Sequence, residues 1–232
     1  MTNIASTEGK NYAESGTAQV SRVTRRKFLN YAAASSGLVL LAACDKDDDV
    51  SADGVNLGSG DVGILNYAYA LEQLEAAFYI QVIATPYTGI TDREKSLLTD
   101  IRDHEVAHRE FFKQALKGDA IQNLEVNFSA INFASRDSVL GTAKAFEDLG
   151  VSAYNGAGRL IKDAAYLTLA GKIVSVEARH AALIRDLISN GSFVGPDIID
   201  MNGLEMSKTP PMVLSIASAF LKTKINASNL PS

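Results

Sequence analysis

Seven side chains carry most of the chemistry this sequence can offer. Four of them form two pairs of the same kind, Glu105-Val106-Ala107-His108 and Glu177-Ala178-Arg179-His180. A Glu-x-x-His spacing sets a carboxylate and an imidazole one helical turn apart on one face. Glu72 and Glu147 belong to a second repeated pattern, Leu71-Glu72-Gln73-Leu74 against Phe146-Glu147-Asp148-Leu149, each with a Tyr seven residues after its Glu, at Tyr79 and Tyr154. The Glu-to-Glu separations are 33 residues from Glu72 to Glu105 and 30 from Glu147 to Glu177. The chain therefore reads as two copies of one unit, each carrying a Glu and then a Glu-x-x-His.

These polar residues fall inside apolar stripes. One stripe is Leu98, Ile101, Glu105, His108, Phe112, Ala115, and another is Tyr166, Ala170, Ile173, Glu177, His180, Ile184, Leu187. Glu147 lies in the stripe Leu140, Ala143, Val151, Tyr154, and Glu72 lies between Leu65 and Tyr79. Steps of three and four place each of these groups on the face that a helix must bury. Four carboxylates buried together are untenable unless they are protonated or neutralised. Two divalent cations bring four positive charges, and two neutral imidazoles complete the ligand set. A carboxylate and imidazole environment suits iron or manganese over thiolate-seeking metals.

Glu75 is the seventh residue. Its stripe (Ala68, Leu71, Phe78, Val82) is also apolar, but the repeat aligns Glu72 with Glu147 and Glu75 with Gly150. Its open roles are an extra ligand, a proton-handling group or a salt-bridged neighbour. Gly150 is expected to leave space opposite it for a small oxidant or water. Tyr79 and Tyr154 read either as core aromatics or as donors to ligand carboxylates. His104 is off the stripe and reads as a surface or outer-sphere group.

Helices must position these residues. Apolar periodicity predicts segments from Asp61, taken as an N-cap, to Thr85; from the capping box Thr91-Asp92-Arg93-Glu94 to Gly118; from Ser135 to Gly156; and from Asp163 to Asn190. Residues 118–136 form a longer connection, and Pro210-Pro211 opens a short fifth helix to about Lys222. Two helical hairpins joined by a crossover make an all-α four-helix bundle over residues 61–190, followed by a C-terminal extension, residues 191–232.

The paired Glu and Glu-x-x-His pattern resembles the ferritin-like superfamily, and the Glu-x6-Tyr repeat is similar to its ferritin and rubrerythrin branches. A narrower resemblance, carried by Leu71 to Tyr79, Glu177 to Leu187 and Thr209-Pro210-Pro211, is to exported bacterial ferritin-like domain proteins related to desiccation-related proteins. The resemblance implies a dinuclear iron or manganese site held by Glu72, Glu105, His108, Glu147, Glu177 and His180, in a stress context.

The first 44 residues read as an address. Basic Arg22 to Lys27 precede an uncharged run from Phe28 to Ala43, too short for a bilayer-spanning helix of roughly 20 residues and suited to a signal peptide. Thr24-Arg25-Arg26-Lys27-Phe28-Leu29 resembles the twin-arginine export signal, and Leu41-Ala42-Ala43-Cys44 resembles a lipobox whose Cys becomes the lipid anchor. The acidic run Asp45 to Asp49 and the polar stretch to Gly60 read as a tether, residues 45–60. The expected location is the bacterial cell envelope, with the chain anchored to membrane through Cys44.

Composition sets the outer bounds. The chain has 232 residues, one Cys, three His and a formal charge of -5. One Cys excludes a disulfide scaffold and thiolate metal sites, and the lack of basic excess argues against nucleic acid as a partner. Removing the address segment leaves 17 basic and 25 acidic residues, a charge of -8. Three functions fit: a dinuclear oxidoreductase acting on O2 or peroxide, of ferroxidase, peroxidase or catalase type; a metal-holding lipoprotein; or a structural stress protein. A lipid-anchored protomer suits a storage cage poorly, while a smaller homo-oligomer stays open.

Overall fold

The computed structural model describes residues 53–232. The export signal with Arg25 and Arg26, the lipidation residue Cys44 and the acidic run Asp45 to Asp49 lie outside the described residues.

Four long helices make the bundle: α1 (Gly60–Ala84), α2 (Asp92–Leu116), α3 (Arg136–Gly158) and α4 (Ala164–Ile188). A short α5 (Pro210–Ala217) follows, and the two-residue strands β1 (Val55–Asn56) and β2 (Ile225–Asn226) pair in parallel. Local chemistry starts three of the four long helices. The Thr91–Glu94 capping box closes in both directions at α2, Ser135 caps α3, and Asp163 caps α4 by accepting from Ala165 and Tyr166 N–H. Asp61 is not the cap of α1. Ser59 holds that position, and the Asp61 carboxylate instead accepts the backbone N–H groups of Lys162 and Asp163 at the start of α4.

That bond brings the beginnings of α1 and α4 together. At the other end Arg136, opening α3, bonds Glu94 near the start of α2 and the Leu187 carbonyl near the end of α4. Helices α1 and α4 thus run one way and α2 and α3 the other, so the link from α2 to α3 must travel the length of the bundle. It does so along α1. Asn66 bonds the Asp119 carbonyl and the Ile121 N–H, Gln73 bonds the Gln122 carbonyl and the Leu124 N–H, and Thr88 N–H reaches Ala134. The crossover covers the outer side of α1, which is buried at every residue from Gly63 to Ala76. Phe78 packs edge-on against Tyr79, Phe128 and Phe146, joining α1, the crossover and α3.

The C-terminal extension closes the sides. Arg185 on α4 is buried and makes a two-pronged ion pair with Asp148 on α3 while also bonding Asp197. A Cβ at Gly156 would lie 1.8 Å from the Lys208 carbonyl oxygen, so only glycine lets the extension pass here. The fifth helix ends at Ala217 and continues only as a 3-10 turn to Phe220, short of Lys222. Residues 55–57, expected in the tether, are part of the fold, and Leu57 is fully buried. Among the described residues no helix is long and apolar enough to cross a membrane.

Candidate metal centre

The middle turns of all four helices meet at one cluster. Glu72 comes from α1, Glu105 and His108 from α2, Glu147 from α3, and Glu177 and His180 from α4. The four carboxylates are fully buried. His108 Nδ1 lies 2.9 Å from Glu177, 3.5 Å from Glu72 and 3.9 Å from Glu105. His180 Nδ1 lies 2.8 Å from Glu105, 3.5 Å from Glu147 and 3.9 Å from Glu177. The two sets repeat each other nearly distance for distance, as the duplicated sequence requires. Each imidazole lies nearest the Glu of the opposite hairpin rather than its own i−3 neighbour.

Eight buried donor atoms in this cluster have no hydrogen-bond partner: Glu72 Oε2, both Glu105 oxygens, His108 Nδ1, Glu147 Oε2, both Glu177 oxygens and His180 Nδ1. They divide into Glu72, Glu105, His108 and Glu177 on one side and Glu105, Glu147, Glu177 and His180 on the other, with the donor atoms of each set within 4.8 Å of one another. Glu105 and Glu177 give one oxygen to each set, the arrangement of bridging carboxylates. Buried polar atoms without partners are rare and costly. A set of four convergent hard donors on either side is what a metal ion would satisfy, and the cluster could hold metal ions.

Two tyrosines complete it. Tyr79 on α1 donates to Glu147 Oε1 on α3, and Tyr154 on α3 donates to Glu72 Oε1 on α1. Of the two roles the sequence left open, hydrogen-bonding is the one present. Each bond uses the oxygen facing away from the cluster, so the other oxygen points in. Burial and then the neighbouring carboxylate charge hold both phenols well above their ordinary pKa, so they remain donors.

Glu75 is buried and among the described residues has no ion-pair partner, which removes the salt-bridged role. The space opposite it is not open. A Cβ at position 150 would lie 3.0 Å from Glu75 Oε1 and 3.7 Å from Glu177 Oε2, so Gly150 makes room for the Glu75 carboxylate rather than for an oxidant or water. Burial, and then Glu177, Glu147 and Glu72, push the Glu75 carboxyl well above the usual range. Glu105 is raised by burial and the same crowding, and Glu177 is pushed up to about 7 by burial and Glu72. Burial works to lower His108, but Glu177 and Glu72 outweigh it and carry the imidazole up to about 10. Without cations, Glu75, Glu105 and Glu177 hold their protons more tightly than free carboxyls do.

Two features sharpen the sequence reading. His104, expected as a surface or outer-sphere group, is exposed on α2 and also bonds a ligand candidate: its Nδ1 lies 2.9 Å from Nε2 of His180 with the ring planes within 10°. The α2 stripe also ends at buried Leu116, with Ala115 turned outward.

The family model described as ferritin-like domain matches residues 60–190, which takes in all four long helices and every residue of the cluster. No curated protein matches the chain.

Proposed function

Because the chain belongs to the ferritin-like domain family, we propose that it is a dinuclear iron or manganese carboxylate protein that reduces a small oxidant, O2 or a peroxide. The observation that carries this reading is the set of eight unpartnered buried donor atoms in two groups of four. Glu72, Glu105, His108 and Glu177 would hold one ion, and Glu105, Glu147, Glu177 and His180 the other. Four carboxylates against two divalent ions leave the core near neutrality, and the donor set is hard enough for iron or manganese. When bound, such ions supply the electrons and a Lewis-acidic seat for the oxidant.

The chain's own groups supply the rest. Tyr79 and Tyr154 fix which oxygen of Glu147 and Glu72 faces inward. Glu75 stands beside Glu177, outside both donor sets, and serves as a buried proton store for the reduced oxygen. A pocket of about 20 Å³ is lined by Tyr67, Ala68, Leu71, Ala153, Ala157 and Tyr154, the residue whose hydroxyl bonds Glu72. It is almost wholly apolar and has room for one molecule of about the size of water, which fits a small neutral oxidant. Export on a twin-arginine signal and anchoring through Cys44 belong to the same reading, supported by the sequence pattern of residues 22–44. A stress role and a small homo-oligomer belong to it as well.

One observation favours a second reading, that of a metal-holding protein without turnover. The four carboxylates are fully buried, and the one partly open ligand side chain is His108, at 14%. The experiment that separates the two loads the full chain with Fe(II) or Mn(II), supplies excess ascorbate as the electron donor, and follows O2 and peroxide consumption over many equivalents above the metal-free background. Sustained consumption, abolished by Glu105→Ala with His108→Ala, supports the oxidoreductase. Bound metal with no consumption supports holding.

A further inference from the structure

Apart from Glu75, which stands against Gly150, the repeat makes the two halves of the cluster alike except at one further point. The residue before Glu105 is His104, whereas the residue before Glu177 is Val176. His104 therefore has no counterpart, and it reaches from α2 to the imidazole on α4. His180 presents Nδ1 to the cluster, 2.8 Å from Glu105 and 3.5 Å from Glu147. An imidazole that offers Nδ1 to a cation keeps its remaining proton on Nε2. That nitrogen faces His104 Nδ1 at 2.9 Å, so His104 accepts its hydrogen bond and carries its own proton on the solvent side. His108 also turns Nδ1 inward, but among the described residues its outer nitrogen has no hydrogen-bond partner. Its side chain is 14% exposed against 4% for His180.

We propose that His104 is a positioning residue that makes the two metal half-sites unequal. By fixing the ring orientation and tautomer of His180, it makes the Glu105, Glu147, Glu177, His180 set the tight half-site. The Glu72, Glu105, His108, Glu177 set, whose imidazole is unbraced and partly exposed, is the half-site through which metal exchanges. The inference rests on the metal reading above and adds to it an order of filling. An orienting partner on the far nitrogen of a ligand histidine typically accounts for 10–100-fold in metal affinity, and among the described residues only the His180 half has a side chain in that place.

The test titrates the metal-free full chain with Mn(II) by calorimetry. Wild type should show two affinity classes. His104→Phe should weaken the tighter class about 10–100-fold and leave the other nearly unchanged. His104→Asn, whose amide oxygen can accept the His180 Nε2–H bond, should recover most of the loss. In Zn(II)-loaded protein, proton–nitrogen NMR should find the His180 Nε2–H exchanging slowly in wild type and fast in His104→Phe. His104 is exposed, so unfolding of the metal-free variants should match wild type. Equal weakening of both classes, or no change in either, overturns the positioning role. A wild-type chain that takes up neither Mn(II) nor Zn(II) is a different result and overturns the metal reading itself.

Discussion

The crowded carboxylates give the metal-free chain a pH dependence of unusual sign. Glu177 has its pKa raised from the ordinary 4.5 to about 7 in the fold. A carboxyl that holds its proton more tightly when folded contributes stability that is complete below about pH 4.5 and is lost as pH rises through 7. Between pH 5 and pH 7.5 this amounts to about 2–3 kcal/mol for this fully buried group. His108 has the same sign in the next window: its contribution is complete below about 6.5 and is lost toward pH 10. The perturbation is removal of metal by a chelator, and the assay is thermal unfolding followed by circular dichroism at pH 5 and pH 7.5. At roughly 2–4 °C per kcal/mol for a domain of this size, the midpoint should fall by about 5–10 °C between those two values. Metal-loaded protein should behave oppositely, because ligands must lose protons to bind and loading strengthens as pH rises. A metal-free midpoint that is flat or higher at pH 7.5 would refute the reasoning.

The tyrosine bonds and the tight glycines make further predictions. Tyr79→Phe and Tyr154→Phe each remove a hydrogen bond to a buried carboxylate and should each cost about 1.5–3 kcal/mol in urea unfolding. The two losses should be similar because the bonds are related by the repeat; a loss at one position with none at the other would contradict that symmetry. Gly156→Ala sets a Cβ against the Lys208 carbonyl and should destabilise by about 1–3 kcal/mol, with faster proteolysis between residues 191 and 209. Unchanged proteolysis there would mean the extension is not held at this point. Gly150→Ala meets a side-chain oxygen rather than backbone, so it should fold normally while displacing Glu75, read as a slower proton-dependent step in oxidant consumption.

Much of this architecture was legible in the sequence because the duplicated hairpin writes the same pattern twice. Glu72 and Glu147, or Glu105 and Glu177, are recognisable as partners before any contact is known, since a periodic stripe reports directly on the buried face. What stayed hidden depends on partners far along the chain. Asn66 and Gln73 look like ordinary polar helix residues, and only the crossover lying 49–55 residues away gives them their role. Asp61 has the composition of a cap yet serves a helix start about 100 residues on. Arg185 falls on the α4 face covered by the extension, which has no periodic signature. His104 is legible as a surface or outer-sphere group, but which ligand it bonds is not, because His180 lies on a different helix and no local spacing encodes the contact. Gly150 reads as a vacancy in the sequence because sequence gives the size of a residue and not the direction of the side chain opposite.

The most direct test of the metal centre is the number of ions bound per chain. The full chain, loaded with Fe(II) or Mn(II) and desalted, should retain two ions by elemental analysis. Glu105→Ala with His108→Ala removes three of the eight donor atoms, both from a bridging carboxylate and one from an imidazole, and should retain fewer than one. Fewer than about one ion in the wild type, or a count unchanged in the variant, would contradict the assignment of these residues as a dinuclear site.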